Sequence, residues 1–230
     1  MTATPSTATS PVRFERFDPE SQKEVDELIR QRILCGWAAD KVDMWRDLAR
    51  QEVRMLYWIF PTTLDADLPE LELLSPGSVV EEGKTHGPPA GDASFRPIGH
   101  VAVDWVDYFG DESLASKEAG VVTLATFFIL PSQQGKGLGS IVTHEMEKLA
   151  ATELNAKAMT LSTIDGQCAS DPAWWAKQGV EYSPSIRINE RWYERIGYQA
   201  YKRGIPRYPF VDVDGNPGLL ECVFMRKELQ

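Results

Sequence analysis

Residues 121–150 read VVTLATFFILPSQQGKGLGSIVTHEMEKLA. An apolar run rich in β-branched and aromatic side chains stops at Pro131, a glycine-rich turn follows, and the remainder has the pattern of an amphipathic helix. Strand, turn and helix in that order bring several unpaired backbone N–H groups to one spot at a helix N-terminus, where an anion such as a pyrophosphate can bind. Gly135, Gly137 and Gly139 keep Cβ atoms out of the way and tolerate the φ values a tight cradle demands. The turn matches neither of two common nucleotide fingerprints. A phosphate loop of the form GxxxxGK[ST] needs a hydroxyl after its lysine, and here Gly137 follows Lys136. The run Gly135-Lys136-Gly137-Leu138-Gly139 is GxGxG, not the GxGxxG of a dinucleotide site.

Upstream of this segment, residues 12–17 alternate apolar and charged side chains as a half-buried strand does. Asp18-Pro19-Glu20 offers an N-cap followed by acidic residues, opening a helix to about Cys35. Residues 41–51 carry Val42, Trp45, Leu48 and Ala49 near helical spacing, and 55–60 reads as a strand ended by Pro61. Residues 61–97 hold six prolines, and from Asp65 to Glu82 six acidic residues occur with no basic residue among them. That stretch is an irregular insertion, because it lacks the apolar content for a core of its own. Further strands are expected at 98–106, 121–130 and 158–164. A loop at 165–185 follows, then a short helix around 188–196 closed by Gly197. A strand from Tyr198 leads through the turn at 214–218 into a last strand at 219–226. The resulting order, β-α-α-β-β-β-α-β-α-β-β, is that of a mixed α/β domain.

The chain has 230 residues, enough for one domain with a sizeable core. The expected organisation is a disordered tail at 1–11 and one domain over 12–230 carrying the 61–97 insertion. The net charge of −10 argues against nucleic acid as a partner, since that role normally needs a basic patch, and it is compatible with a cationic amine. No apolar run approaches the roughly 18 residues of a membrane span, and no basic-then-apolar leader opens the chain, so no membrane association and a cytoplasmic location are expected. Cys35, Cys168 and Cys222 are odd in number and far apart, which suits reduced thiols packed as small hydrophobes. His86, His100 and His144 belong to no HExxH or CxxC pattern, so no metal is expected.

Read as Gln134-x-x-Gly137-x-Gly139, the turn resembles the acetyl-CoA signature [QR]xxGx[GA] of the GNAT N-acetyltransferase superfamily. The resemblance extends to Ile129-Leu130-Pro131, where that family ends its central strand. It extends also to Trp192-Tyr193-Glu194-Arg195-Ile196-Gly197-Tyr198, which is similar to the family's FYEKxGF helix-to-strand junction. It covers most of the chain from about Val12 onward. It implies a mixed, mostly antiparallel sheet with a central splayed strand pair, flanked by helices, and direct transfer of an acetyl group from acetyl-CoA to an amine.

On that resemblance, the backbone amides from Gln134 through Gly135, Lys136, Gly137, Leu138, Gly139 and Ser140 would face the pyrophosphate. The backbone of Phe127, Phe128 and Ile129 would pair with the pantetheine arm. Tyr193 would be the general acid for the departing thiolate. Many relatives place an asparagine seven residues before that tyrosine. Here the position is Ile186, and Asn189 is the nearest substitute. No carboxylate lies in 121–130, which leaves Asp104, Asp107 and Asp165 as candidate bases, Asp104 first, with a water chain as the alternative. Trp174 and Trp175, with Asp165, are candidate walls of an acceptor pocket, and Tyr208-Pro209-Phe210 a candidate lid. The acceptor expected is a small amine or polyamine; a lysine or N-terminal peptide acceptor and a non-catalytic acyl-CoA-binding module remain alternatives. Monomer and homodimer are both open.

Overall fold

A computed structural model describes residues 10–62 and 95–230. The expectations for 1–9 and for most of the 61–97 insertion fall outside the described residues. Seven strands lie in the order β1-β2-β3-β4-β5-β7-β6. They are β1 (Val12–Arg16), β2 (Arg54–Pro61), β3 (Gly99–Asp104), β4 (Val121–Ile129), β5 (Ala158–Ile164), β6 (Gln199–Val211) and β7 (Pro217–Glu228). β4 and β5 pair in parallel; β1 with β2, β5 with β7 and β6 with β7 pair antiparallel. Six helices accompany them: α1 (Gln22–Cys35), α2 (Val42–Arg50), α3 (Leu138–Thr152), α4 (Gly166–Ala169), α5 (Pro172–Lys177) and α6 (Asn189–Arg195). The chain divides into two compact units, 1–103 with 126–146 and 104–125 with 147–230, so β4 and α3 each contribute to both.

In the first unit α1 begins three residues later than its acidic opening suggests. Ser21 is the N-cap, its hydroxyl accepting from the Glu24 amide, while Asp18 accepts from the Glu20 amide in the turn before it. Gly36 ends the helix in the left-handed conformation at φ 76°. The inward face of α1 buries Val25 and Leu28, each stabilising by about 1.5–3 kcal/mol through loss of apolar surface. Trp58 of β2 is fully buried, with Phe17, Phe95 and His100 packed edge-on around its ring. Its indole N–H donates to Glu24 at 2.7 Å, which satisfies the one polar atom it takes inside.

A buried polar chain crosses this core. Arg30 and Glu27 form an ion pair at 2.7 Å, Gln31 donates to Glu27 at 2.8 Å and to the Pro97 carbonyl, and His100 Nδ1 meets the Gln31 carbonyl oxygen at 2.8 Å. Because that oxygen can only accept, His100 carries its proton on Nδ1. Burial holds the His100 pKa well below its usual value, and Arg32 and Arg54 add to the effect.

The second unit is built on the β5, β7 and β6 ladder. Leu114, Cys222 and Phe224 form its buried cluster with Ile205 and Tyr208 against them. Thr160 fastens the polar loop before β4 to β5 by donating to the Leu114 carbonyl. Residues Tyr208, Pro209 and Phe210 are not a lid between strands. They are paired β6 residues opposite Leu220, Leu219 and Gly218. All three cysteines are free thiols; Cys222 is buried, and burial raises its pKa to about 11.

Two outcomes are expected. A Cβ at Gly99 would overlap the Phe128 carbonyl oxygen and lie 3.0 Å from Ile129 Cα, backbone that cannot swing away. Gly99→Ala should therefore destabilise the protein by about 1–3 kcal/mol, several degrees of Tm, in a thermal melt. The unfolded state takes up a proton on His100 below about pH 6.5 and the folded state does not. Stability should therefore fall as pH drops from 7 to 5, by chemical denaturation, and His100→Gln should flatten that fall.

Candidate active site

The site begins with a defect in a strand. β4 pairs with β5 from Val121↔Ala158 to Leu124↔Leu161, and there the ladder stops while β5 continues along β7 to Ile164↔Cys222. Two residues on, Thr126 adopts φ 46°. A β-branched side chain in the left-handed region is a true outlier, costing about 1–3 kcal/mol, and it turns the backbone of a strand as a bulge does. Ala125, Thr126 and Phe127 are half-buried, whereas Phe128 and Ile129 are buried. A strand edge leaving its ladder in this way can be continued by an extended ligand through main-chain hydrogen bonds.

Within the first unit, the end of β4 leads straight into the glycine turn. The Leu130 amide donates to Ile98 at 2.9 Å, and Pro131–Gln133 forms a single 3-10 turn. The Gln134 side chain reaches back and donates to the Ile129 carbonyl at 2.8 Å, tying the turn to the strand. Lys136 donates to buried Gln133 at 2.9 Å, so its ammonium is held beside the turn. Gly135 and Gly137 both sit at φ 79°, and a Cβ on either would meet nothing within 4 Å. They are therefore needed for their backbone angle and not for lack of room. The amides of Gly135, Lys136 and Gly137 have no acceptor among the described residues. Immediately after them α3 starts at Leu138, a 15-residue helix with no acidic residue in its first turn. Consecutive N–H groups, a helix N-terminus and a lysine are groups that could hold a phosphate. Gln134, Gly135, Lys136, Gly137, Leu138, Gly139 and Ser140 thus come together in one unit with Phe127, Phe128 and Ile129.

The remaining sequence-derived residues lie in the second unit. Tyr193, on α6, is 9% exposed, with its ring against Trp192 at 4.5 Å and Tyr198 at 5.6 Å. Burial raises its pKa well above the usual tyrosine value, and Tyr208 adds a smaller push in the same direction. The phenol therefore stays protonated at any physiological pH. Asp104 ends β3 and is 5% exposed. Asp107 is engaged elsewhere: it pairs with buried Arg207 and accepts from the Phe109 and Asp111 amides at 3.1 Å. Asp165 is engaged as well, capping α4 through the Gln167 amide at 2.9 Å and meeting Gly204 N and Arg203 at 3.3 and 3.5 Å. Asn189 is the exposed first residue of α6. Trp174 and Trp175 are half-buried on α5, edge-to-face at 4.9 Å, with the Trp175 indole donating to the Ala169 carbonyl at 2.8 Å. Among the described residues no group of three His, Cys, Asp or Glu side chains could hold a metal.

Solved structures share this architecture. A spermidine N-acetyltransferase of Vibrio cholerae, in complex with CoA and spermine, superposes with a TM-score of 0.55 at 10% identity, over 96% of this chain and 97% of that one. The fold is that of these acetyltransferases. A chimera of the Vibrio cholerae enzyme with hSSAT gives a TM-score of 0.56 at 10% identity over 95% and 96% of the two chains. A spermidine/spermine N-acetyltransferase of the same organism, in complex with manganese ions, gives 0.54 at 11% identity over 95% and 93%. No family model and no curated protein sequence matches the chain.

Two parts of the fold differ from the sequence-based expectation. The loop at 165–185 contains α4 and α5, each opened by an aspartate N-cap, Asp165 and Asp171, the second followed by Pro172 at the first helical position. Asp-Pro before an apolar pair is a legible helix start. The turn at Thr126 had no such signal, because threonine inside an apolar run reads as plain strand.

Gly137→Ala should cost about 1–2 kcal/mol from forcing a Cβ into the left-handed region, with no steric clash. The expected outcome is a lowered Tm and, by calorimetry, CoA affinity reduced roughly tenfold, whereas Lys136→Ala should lower affinity with little change in Tm.

Proposed function

We propose that the protein transfers an acetyl group from acetyl-CoA directly to a primary amine, with a polyamine or other small amine as acceptor. The observation that carries this reading is the junction of β4 and α3: a strand that leaves its ladder at Leu124, and four residues after its end an anion cradle at a helix N-terminus. Pantetheine is extended and amide-bearing, and pyrophosphate is doubly charged, so the two parts of one cofactor match the two parts of that junction. The fold shared with acetyltransferases supports the same reading, and so does the glycine signature.

A thioester is already activated, and a neutral amine placed against it attacks without a covalent enzyme intermediate. The N–C bond forms, the C–S bond breaks, the amine loses a proton and the thiolate gains one. On this reading backbone N–H groups of Phe127 and its neighbours polarise the thioester carbonyl. Tyr193, kept protonated by its burial, delivers the proton to sulfur. On this reading the amine proton goes to Asp104, which ends β3, or to solvent. The chain's charge of −10 favours approach of a cationic acceptor.

The test is release of free CoA thiol from acetyl-CoA across polyamines, amino acids, arylamines and lysine or N-terminal peptides. Turnover of a polyamine is expected, with Tyr193→Phe lowering kcat by about 10²-fold while the KM for acetyl-CoA stays near wild type. Turnover of peptides alone would reassign the acceptor. No turnover with any amine, although CoA raises the Tm, would make the protein a binding module.

A further inference from the structure

We propose that Glu190 is a positioning residue for Tyr193, holding α6 so that the phenol points where the leaving thiolate forms; this rests on the reading of Tyr193 as the acid. α6 has seven residues, too few to be stable alone, and its N-cap position is Ile188, which supplies no side-chain cap. The helix must therefore be held from outside, and it is held at both ends. Glu190, in its first turn, is 4% exposed. One carboxylate oxygen accepts from the Gly166 amide at 2.6 Å, just past the end of β5, and the other pairs with Arg203 of β6. Arg203 in turn meets Asp165 at 3.5 Å. At the far end Lys227 of β7 donates to the Ile196 carbonyl at 2.9 Å and to Glu147 at 2.6 Å.

Gly166 exists for the first of these fastenings. Its backbone φ is ordinary, yet a Cβ there would stand 2.6 Å from the Glu190 carboxylate and 3.1 Å from Ile188. A glycine required by close approach and not by backbone angle marks the point where α6 is pressed against the end of β5. Tyr193 follows Glu190 by three residues, on the same helical face, so a tilt of α6 about its Lys227 end moves the phenol.

Two substitutions act on the same bond: Glu190→Gln removes the charge, and Gly166→Ala displaces the carboxylate while leaving its chemistry intact. With acetyl-CoA and spermidine, each should lower kcat roughly 10–10²-fold with an unchanged KM for acetyl-CoA. In the Tyr193→Phe background, neither should lower it further. Equal losses in both backgrounds, or no loss in the first, would overturn the inference while leaving Tyr193 as the acid. No effect of Tyr193→Phe by itself would overturn the reading of the acid, and this inference with it. A second readout needs no acceptor. In [13C]tyrosine-labelled protein the Tyr193 ring signal, assigned by its loss in Tyr193→Phe, should shift or broaden in both variants while that of Tyr57 stays fixed. An unmoved Tyr193 signal would overturn the proposal whatever the amine specificity.

Discussion

At Thr126 a β-branched residue is held at φ 46° in the middle of β4, and the backbone on either side of it is fastened. Left alone, the chain would relax into extended strand and recover about 1–3 kcal/mol. It is prevented on both sides. Before it, Val121 to Leu124 are locked in register with Ala158 to Leu161. After it, the Leu130 amide is bonded to Ile98, the Gln134 side chain is bonded to the Ile129 carbonyl, and Gly99 lies so close under Phe128 that only a residue without Cβ fits. Strain of this kind persists where the surroundings over-determine it. Here it falls three residues before the end of β4, ahead of the glycine turn. The cradle's own glycines then need no crowding to explain them, because the route into the turn has already been set.

The periodic parts of this fold were legible and the irregular parts were not. Alternation in β1, the long apolar β4 and the helical spacing of α2 each produce an element where expected, because burial of one face dominates the local energy. Gln134 to Gly139 were legible for a different reason: positive φ selects glycine so strongly that the residue type reports the backbone. Thr126 has the same kind of backbone without that report, since strain held by neighbours leaves no mark on residue choice. The clasp of Glu190, Gly166, Arg203 and Asp165 was equally invisible. Its members are up to 38 residues apart in sequence, from Asp165 to Arg203, and each alone looks like an ordinary surface or turn residue.

The same clasp bears on how the carboxylates of an acidic chain are to be understood. Glu27, Asp165, Glu190 and Glu147 are buried, as is the carboxylate of half-buried Asp107; in the order Glu27, Asp107, Asp165, Glu190, Glu147 they face Arg30, Arg207, Arg203, Arg203 again and Lys227. Such pairs recover little net stability after desolvation, yet removing one partner leaves an uncompensated buried charge, which is far costlier. Asp107 and Asp165 also accept backbone amides, so their lone pairs are directed at groups that do not move during a reaction. Loss of turnover on replacing either would follow from local collapse as readily as from loss of a base. A change in the alkaline limb of the pH profile with KM for acetyl-CoA preserved is what separates the two.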